Sequence, residues 1–182
     1  MKDIELIGPR VRVRRARPAD ASASFEWFAN RAVTEYLPLA GESILPMENI
    51  VSFLDQASRD EDPNLSVGLE LLTGELFGCG GLRAIEPGTS AEISVVVGEP
   101  KLWGHGYGCE AMRLLLDHAF HGLKLGTVWL IVRADNLRGV RLFTRLGFLV
   151  VETFEALVGV SATPREKHRM ELSATRWAEH RA

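Results

Sequence analysis

The sequence is poor in cysteine and has no long apolar run. Cys79 and Cys109 are its only cysteines and lack a CxxC spacing, which argues against a disulfide framework or a metal cage. No apolar segment reaches the roughly 18 residues needed to span a bilayer, and residues 1–20 lack the apolar run of a signal peptide. We therefore expect a cytoplasmic protein with no membrane partner and no metal.

An excess of positive charge is also absent. The chain has 21 Lys and Arg against 24 Asp and Glu, with a pI near 6.0, so binding to nucleic acid through bulk electrostatics is not expected. Its 182 residues and 46% hydrophobic content suit one domain with one core. Small molecules or proteins are the expected partners.

Hydrophobic periodicity predicts alternating strands and helices in a single α/β (α+β) domain. Helices are expected over residues 17–37, in PMENIVSFLDQ, from the glycines at 104–108 to about Phe120, and in LRGVRLFTRL. Strands are expected in RVRVR, on both sides of a turn at Thr73 and Gly74, and in AEISVVVG, TVWLIVRA, FLVVETFEAL and HRMELS. This gives a mixed, mostly antiparallel sheet of about six to seven strands with about four helices, and polar tails at both termini.

The stretch WGHGYGCEA places Gly104, Gly106 and Gly108 just before a predicted helix. The unpaired amides and partial positive charge of a helix start attract anions, and glycines let a phosphate approach closely. The stretch therefore predicts a pyrophosphate site, although a tight turn without a ligand fits the glycines too. A triphosphatase loop is excluded because Gly-Lys-Ser/Thr is missing. A dinucleotide fingerprint over Gly106, Gly108 and Ala111 is a weak rival, because no acidic residue ends the next strand.

Two motifs that follow one another along the chain resemble those of the GCN5-related N-acetyltransferases (GNAT), the acetyl-CoA-dependent acyltransferase superfamily. Residues 103–108 fit its Q/R-x-x-G-x-G/A loop with Trp103 in first place, and residues 136–148 fit N-x-x-[AS]-x-x-L-Y-x-K-x-G-F. Trp followed by GxGY is similar to the branch of bacterial ribosomal-protein N-terminal alanine and serine acetyltransferases. The resemblance implies a single GNAT-like domain over residues 1–182, with a cofactor-binding core at about 91–148.

The resemblance also implies how acetyl-CoA would bind. The strand before the glycines and the strand after the following helix would splay apart, leaving backbone groups free for pantetheine. The cofactor-binding residues carried over are Ser94, Val95, Val96, Val97, Trp103, Gly104, His105, Gly106, Tyr107, Gly108, Cys109, Asn136, Arg138, Gly139, Leu142, Phe143 and Arg145.

The usual catalytic positions of the family are changed. Phe143 stands where many members have a proton-donating Tyr, and Gly139 and Ile131 replace a Ser and a Glu that other members use. Asn136 matches the conserved Asn, either as a catalytic residue or as a helix cap. Glu92 is the preferred base, and the alternatives are Glu152, Glu155 or a water chain.

The sequence does not name the acceptor amine. The resemblance favours a protein N-terminal α-amine on Ala or Ser, with polyamines, amino sugars, aminoglycosides and a weakly active acyl-CoA sensor as alternatives. Family members are often homodimers, and Trp129 with the late strands would serve such contacts. We expect Trp27, Phe28 and Tyr36 to line the acceptor side, and acidic residues to attract a cation there: Glu26, Glu35 and Glu42.

Overall fold

A computed structural model describes residues 4–37, 46–59, 61–158 and 163–181. The strands are β1 (Glu5–Ile7), β2 (Val11–Arg15), β3 (Leu65–Leu71), β4 (Leu76–Glu86), β5 (Ser90–Val97), β6 (Thr127–Arg133), β7 (Leu149–Val158) and β8 (Thr163–Ser173). The α-helices are α1 (Ala21–Ala29), α2 (Arg31–Thr34), α3 (Met47–Ala57), α4 (Tyr107–Asp117), α5 (Leu137–Arg145) and α6 (Ala174–Arg181).

The strands form one sheet of eight in the order β1-β2-β3-β4-β5-β6-β8-β7. Neighbouring strands are antiparallel except β5 and β6, which are parallel. That pairing covers only Ser90 with Thr127, Ala91 with Val128, and Glu92 with Trp129. Beyond these three pairs, β5 continues to pair with β4 alone, and β6 with β8 alone. The sheet therefore opens between β5 and β6 after Glu92 and Trp129.

Helices cover both faces of the sheet. The face with α4 carries the main core, in which Met112 and Leu115 of α4 are buried together with Val13, Val67 and Ile93 of three strands. Across the sheet, α1 packs against α3 through a smaller cluster that includes Ala21, Ile50 and Leu54. No described helix combines the length and the apolar character that a bilayer crossing requires.

The structure corrects the predicted element list in three places. The sheet has eight strands, because β1 adds a short edge strand to β2. The helix expected over 17–37 is interrupted at Asn30, whose extended backbone ends α1 and whose side chain accepts from the Ala32 amide at 3.0 Å to cap α2. The C-terminal tail contains α6, which is held by the buried Trp177 and its 2.9 Å hydrogen bond to Asp117.

A buried ion-pair cluster fixes the start of α1 to the sheet. Arg14 donates to Asp20 at 2.7 Å and 2.8 Å and to Glu70 at 2.6 Å, and all three side chains are at most 10% exposed. Burial lowers the pKa of Arg14, but hydrogen bonds to Asp20 and Glu70 outweigh it and raise the pKa overall. The guanidinium is therefore charged, and it compensates two carboxylates.

We predict that Arg14→Met lowers the free energy of unfolding by about 3–5 kcal/mol, the usual cost of removing one partner of a buried ion pair. Asp20 would then stay buried without its cation, and Glu70 would keep only the more distant Arg12, at 3.8 Å. Urea denaturation measures the loss. Arg59→Met is the control, because Arg59 is 64% exposed where it pairs with Asp55 and should cost less than about 1 kcal/mol. Equal losses in the two variants would contradict the prediction.

Candidate functional site

A cavity of about 650 Å³ lies where β5 and β6 separate. One wall is the free side of β5 from Glu92 to Val97, and the other is formed by Leu130–Arg133 of β6 and by α5. The glycine turn before α4 closes one end, and residues of α2 and the turn after it close another. The cavity therefore lies in the gap that the separation of β5 and β6 leaves.

The glycine turn takes a conformation that other residues rarely adopt. Gly104 has φ of 80° and Gly106 has φ of 86°, both in the left-handed region. Gly106 is the N-cap of α4, and the first intrahelical bond runs from the Glu110 amide to the Gly106 carbonyl at 3.0 Å. The amides at positions 107–109 therefore have no helical acceptor and are available to an anion.

Contacts from Arg10, the residue before β2, hold this turn in place. Glu110, in the first turn of α4, accepts from the Arg10 amide at 2.7 Å and from the Arg10 Nε at 2.8 Å. Arg10 also donates to the His105 carbonyl at 3.2 Å, and its guanidinium lies 4.6 Å from the Tyr107 ring centroid. The turn is thus fixed before any ligand binds.

Trp103 and Arg138 bridge the mouth of the cavity. The Trp103 indole donates to the Val97 carbonyl at 2.8 Å, which places its ring over the end of β5. The Arg138 guanidinium, on α5, lies 3.9 Å from the centre of that ring. Arg141 and Arg145 of the same helix also line the cavity. This side of the cavity therefore carries three arginines suited to phosphate groups.

Asn136 and Phe143 have structural roles on the cavity wall. The Asn136 side chain accepts from the Gly139 amide at 3.0 Å and caps α5, so the capping interpretation is confirmed. None of the described residues accepts from its amide nitrogen, which leaves that group for a ligand. Phe143 is buried and meets Phe148 edge to face with ring centroids 5.4 Å apart.

Glu92 lies where the strands separate and is held by Arg83. Arg83 is its partner across β4 and β5 and donates to both carboxylate oxygens, at 2.9 Å and 2.6 Å. The Glu92 side chain is 14% exposed, whereas that of Arg83 is 59% exposed. The hydrogen bond to Glu92 raises the pKa of Arg83. Arg83 is therefore charged at neutral pH.

A second arginine, Arg133, holds together the residues at the end of the cavity formed by α2 and the turn after it. Arg133 donates to Asp135 at 2.9 Å and 2.5 Å and to the Glu35 carbonyl at 2.9 Å, and it lies 5.0 Å from the Tyr36 ring centroid. The hydrogen bond to Asp135 raises the pKa of Arg133, and the same bond lowers the pKa of Asp135. Arg133 thereby links the end of β6 to the turn after α2.

The cavity brings together most of the predicted cofactor residues. Fifteen of the seventeen positions on that list are cavity-lining, as is the predicted base Glu92. His105 and Tyr107 do not line it: the Tyr107 ring lies against the Arg10 guanidinium, and the His105 carbonyl accepts from Arg10. Sequence reasoning missed four charged lining residues: strand register brings Arg83, Arg133 and Lys167 to the site, and α5 brings Arg141.

The predicted acceptor residues are mostly elsewhere. Tyr36 lines the cavity as expected, but Trp27 is buried against Gly98 and donates to Glu99 at 2.9 Å, and Phe28 packs in the smaller core cluster. Of the acidic residues, Glu26 and Glu35 are not lining residues, and Glu42 lies outside the described part of the chain. The alternative bases Glu152 and Glu155 are exposed on β7, away from the cavity.

Neither metal ligation nor a cysteine nucleophile has support in the described residues. No group of three or more His, Cys, Asp or Glu side chains within the described ranges is arranged to hold a metal ion. Burial raises the pKa of the Cys79 thiol to about 12, so at neutral pH it is not a thiolate. Cys109 lines the cavity, but no His of the described residues pairs with it.

Comparison with known proteins gives the family. Residues 10–149 match the model of the acetyltransferase (GNAT) domain. The chain is 23% identical over 141 residues to the uncharacterized N-acetyltransferase p20 of Bacillus licheniformis, which covers 76% of this chain and 79% of that protein.

Solved structures share the fold. A GNAT-family acetyltransferase from Bacillus anthracis superposes with a TM-score of 0.81 at 18% identity, covering 94% of this chain and 99% of that one. Spermidine N-acetyltransferase from Vibrio cholerae, in complex with CoA and spermine, superposes with a TM-score of 0.83 at 19% identity and the same coverage. With the family model spanning most of the chain, the protein belongs to the GNAT family and is an acetyl-CoA-dependent N-acetyltransferase.

Proposed function

We propose that the protein transfers the acetyl group of acetyl-CoA to a primary amine by direct attack, and that the acceptor is a protein N-terminal α-amine on Ala or Ser. The observation that carries the proposal is the separation of β5 and β6 beside the glycine turn, which leaves one cavity between the free amides at the start of α4 and the Glu92 carboxylate. The residues from 1 to 182 would act as one domain, with the cofactor-binding core at about 91–148.

Acetyl-CoA fits the groups that the cavity offers. It supplies the acetyl group as an activated thioester. The amides at 107–109 would bind its pyrophosphate, and the arginines of α5 are placed for phosphate groups. The unpaired edge of β5 from Ser94 to Val97 would donate and accept hydrogen bonds along the pantetheine arm. An added Cβ at Gly108 would lie 3.0 Å from the Val97 side chain, so a larger residue at position 108 would narrow the space beside β5 that the pantetheine arm would occupy.

We place amine activation at Glu92, where the strands separate. Arg83 occupies one lone pair on each Glu92 oxygen, and a carboxylate has about four such sites, so an amine proton can still be accepted. Arg83 is then a positioning residue that fixes the carboxylate toward the cavity. As the amine nitrogen forms the new amide bond, its proton passes to Glu92 and CoA departs as a thiolate, which needs no side-chain acid because the pKa of a thiol is about 8.5.

Support for an N-terminal acceptor comes from the resemblance of Trp103 and the GHGY that follows to the ribosomal-protein branch. A polyamine is the second candidate, because a similarly folded enzyme is a spermidine N-acetyltransferase with spermine bound. A weakly active acyl-CoA sensor would bind acetyl-CoA and release no CoA thiol in the presence of any amine.

The first expectation concerns ligand choice. Acetyl-CoA at a hundred times its dissociation constant should stabilise the protein by about 2.7 kcal/mol, which is visible as a shift of several degrees in the unfolding midpoint. Thermal unfolding with acetyl-CoA, CoA, NADH and ATP at matched concentrations measures this. A shift with NADH and none with acetyl-CoA would contradict the proposal.

We next expect Gly104→Ala to weaken acetyl-CoA binding about tenfold, because a Cβ disfavours the φ of 80° on which the turn depends. Gly74→Ala is a matched control: Gly74 has φ of 90°, and at both positions an added Cβ would meet nothing within 4 Å. Both variants should lose similar stability. Calorimetric titration should then show weaker binding in Gly104→Ala alone, and equal binding in the two variants would exclude the turn from the site.

For catalysis, Glu92→Gln should lower kcat about 100-fold with KM for acetyl-CoA unchanged, since the amide cannot accept the amine proton. Steady-state release of CoA thiol measures both constants. The control is Glu152→Gln, which makes the same substitution at an exposed position of β7 outside the cavity. A kcat that stays at the wild-type value in Glu92→Gln would assign the base to water.

A further inference from the structure

The charges on the acceptor side of the cavity are mostly positive. Alternation along β5, β6 and β8 places Glu92, Arg133 and Lys167 on one face of the sheet, the face opposite α4 and α5. With Arg83, the cavity wall on this face has three cations and one carboxylate. Glu92 is the one lining carboxylate of the described residues, and the reacting amine takes it, so none remains to bind a second ammonium group.

Lys167 differs from the other two cations. Arg83 is paired with Glu92 and Arg133 with Asp135, whereas no carboxylate of the described residues forms an ion pair with Lys167. It lies directly across from Arg133 in the β6–β8 register, and it is half-buried on the cavity wall. Its ammonium group therefore offers an unused positive charge to whatever fills the acceptor side.

The register fixes how far this charge lies from the point of reaction. Glu92 is opposite Trp129, and Lys167 is opposite Arg133, which is four residues further along β6. Four residues correspond to about 13 Å along the strand. The flexible lysine stem shortens this distance by several ångströms, and an extended peptide advances about 3.3 Å per residue. A chain with its amine beside Glu92 thus brings its second or third residue to Lys167.

We propose that the acceptor is a peptide N-terminus with an acidic side chain at its second or third position, which Lys167 binds. This inference rests on the proposed N-terminal acetylation and names its substrate class. A free amino acid is too short, because its amine and carboxylate are attached to one carbon atom. A polyamine has the wrong sign, since its second ammonium group would approach Lys167 with no free lining carboxylate among the described residues to compensate it.

The test compares peptides that begin Ala-Glu-Glu, Ala-Gln-Gln and Ala-Lys-Lys and are otherwise identical, together with spermidine and free aspartate. For the wild-type protein, kcat/KM should be about fivefold higher with Ala-Glu-Glu than with Ala-Gln-Gln, as expected of a partly solvated ion pair. Lys167→Glu should reverse the order in favour of Ala-Lys-Lys, and Lys167→Arg should retain the wild-type order.

Arg165→Glu is the matched control. It makes the same charge change two residues away on the same strand, at an exposed position that does not line the cavity. It should keep the wild-type order of peptides. The inference is overturned if Lys167→Glu leaves that order unchanged, if Arg165→Glu reverses it equally, or if spermidine or aspartate is the better acceptor. Peptide acetylation without any charge preference overturns this inference alone, whereas acetyl-CoA binding without turnover of any acceptor overturns the proposed function as well.

Discussion

The short parallel contact between β5 and β6 is the constraint on which the site depends. Three residue pairs are enough to keep the two halves of the sheet in one layer, and the pairing then stops at Glu92 and Trp129. Backbone groups beyond that point are satisfied on one side only, which would be costly if the gap were closed off from water or ligand. The cavity is therefore the direct result of ending one strand pair early, and it places Glu92 at its apex.

Side chains connect the β5 and β6 sides of the sheet where backbone hydrogen bonds between the two strands are absent. Trp103 is fixed to the last carbonyl of β5, and Arg138 stacks on it from the helix that follows β6. At the other end, Arg133 ties β6 to the carbonyl of Glu35. The links made by Arg138 and Arg133 use guanidinium groups, which can exchange these contacts for phosphate or carboxylate without breaking a strand. The halves can thus stay joined while the cavity is filled.

Local patterns were sufficient for much of the fold. Alternation and the glycine at 74 predicted β3 and β4, and the glycines at 104–108 predicted where α4 begins, since these signals lie within one element. The sequence could not reveal α6, whose polar residues leave Trp177 as its one fully buried anchor. Lys167 and Arg83 were missed for another reason: each reaches the site through register with a strand distant in sequence, which no local pattern encodes.

Phe143 packs in the core at the position where related enzymes have a proton donor for the leaving thiolate. Its ring is buried edge to face against Phe148 and helps hold α5 on the sheet, so the position that supplies a proton in related enzymes here contributes to the core. A thiolate leaving group tolerates that loss, because its conjugate acid has a pKa of about 8.5. An ammonium group does not react until it is deprotonated. In the proposed mechanism, deprotonation of the amine is therefore the step that needs a protein group. We assign that step to Glu92, which Arg83 holds by two hydrogen bonds at the point where the strands separate.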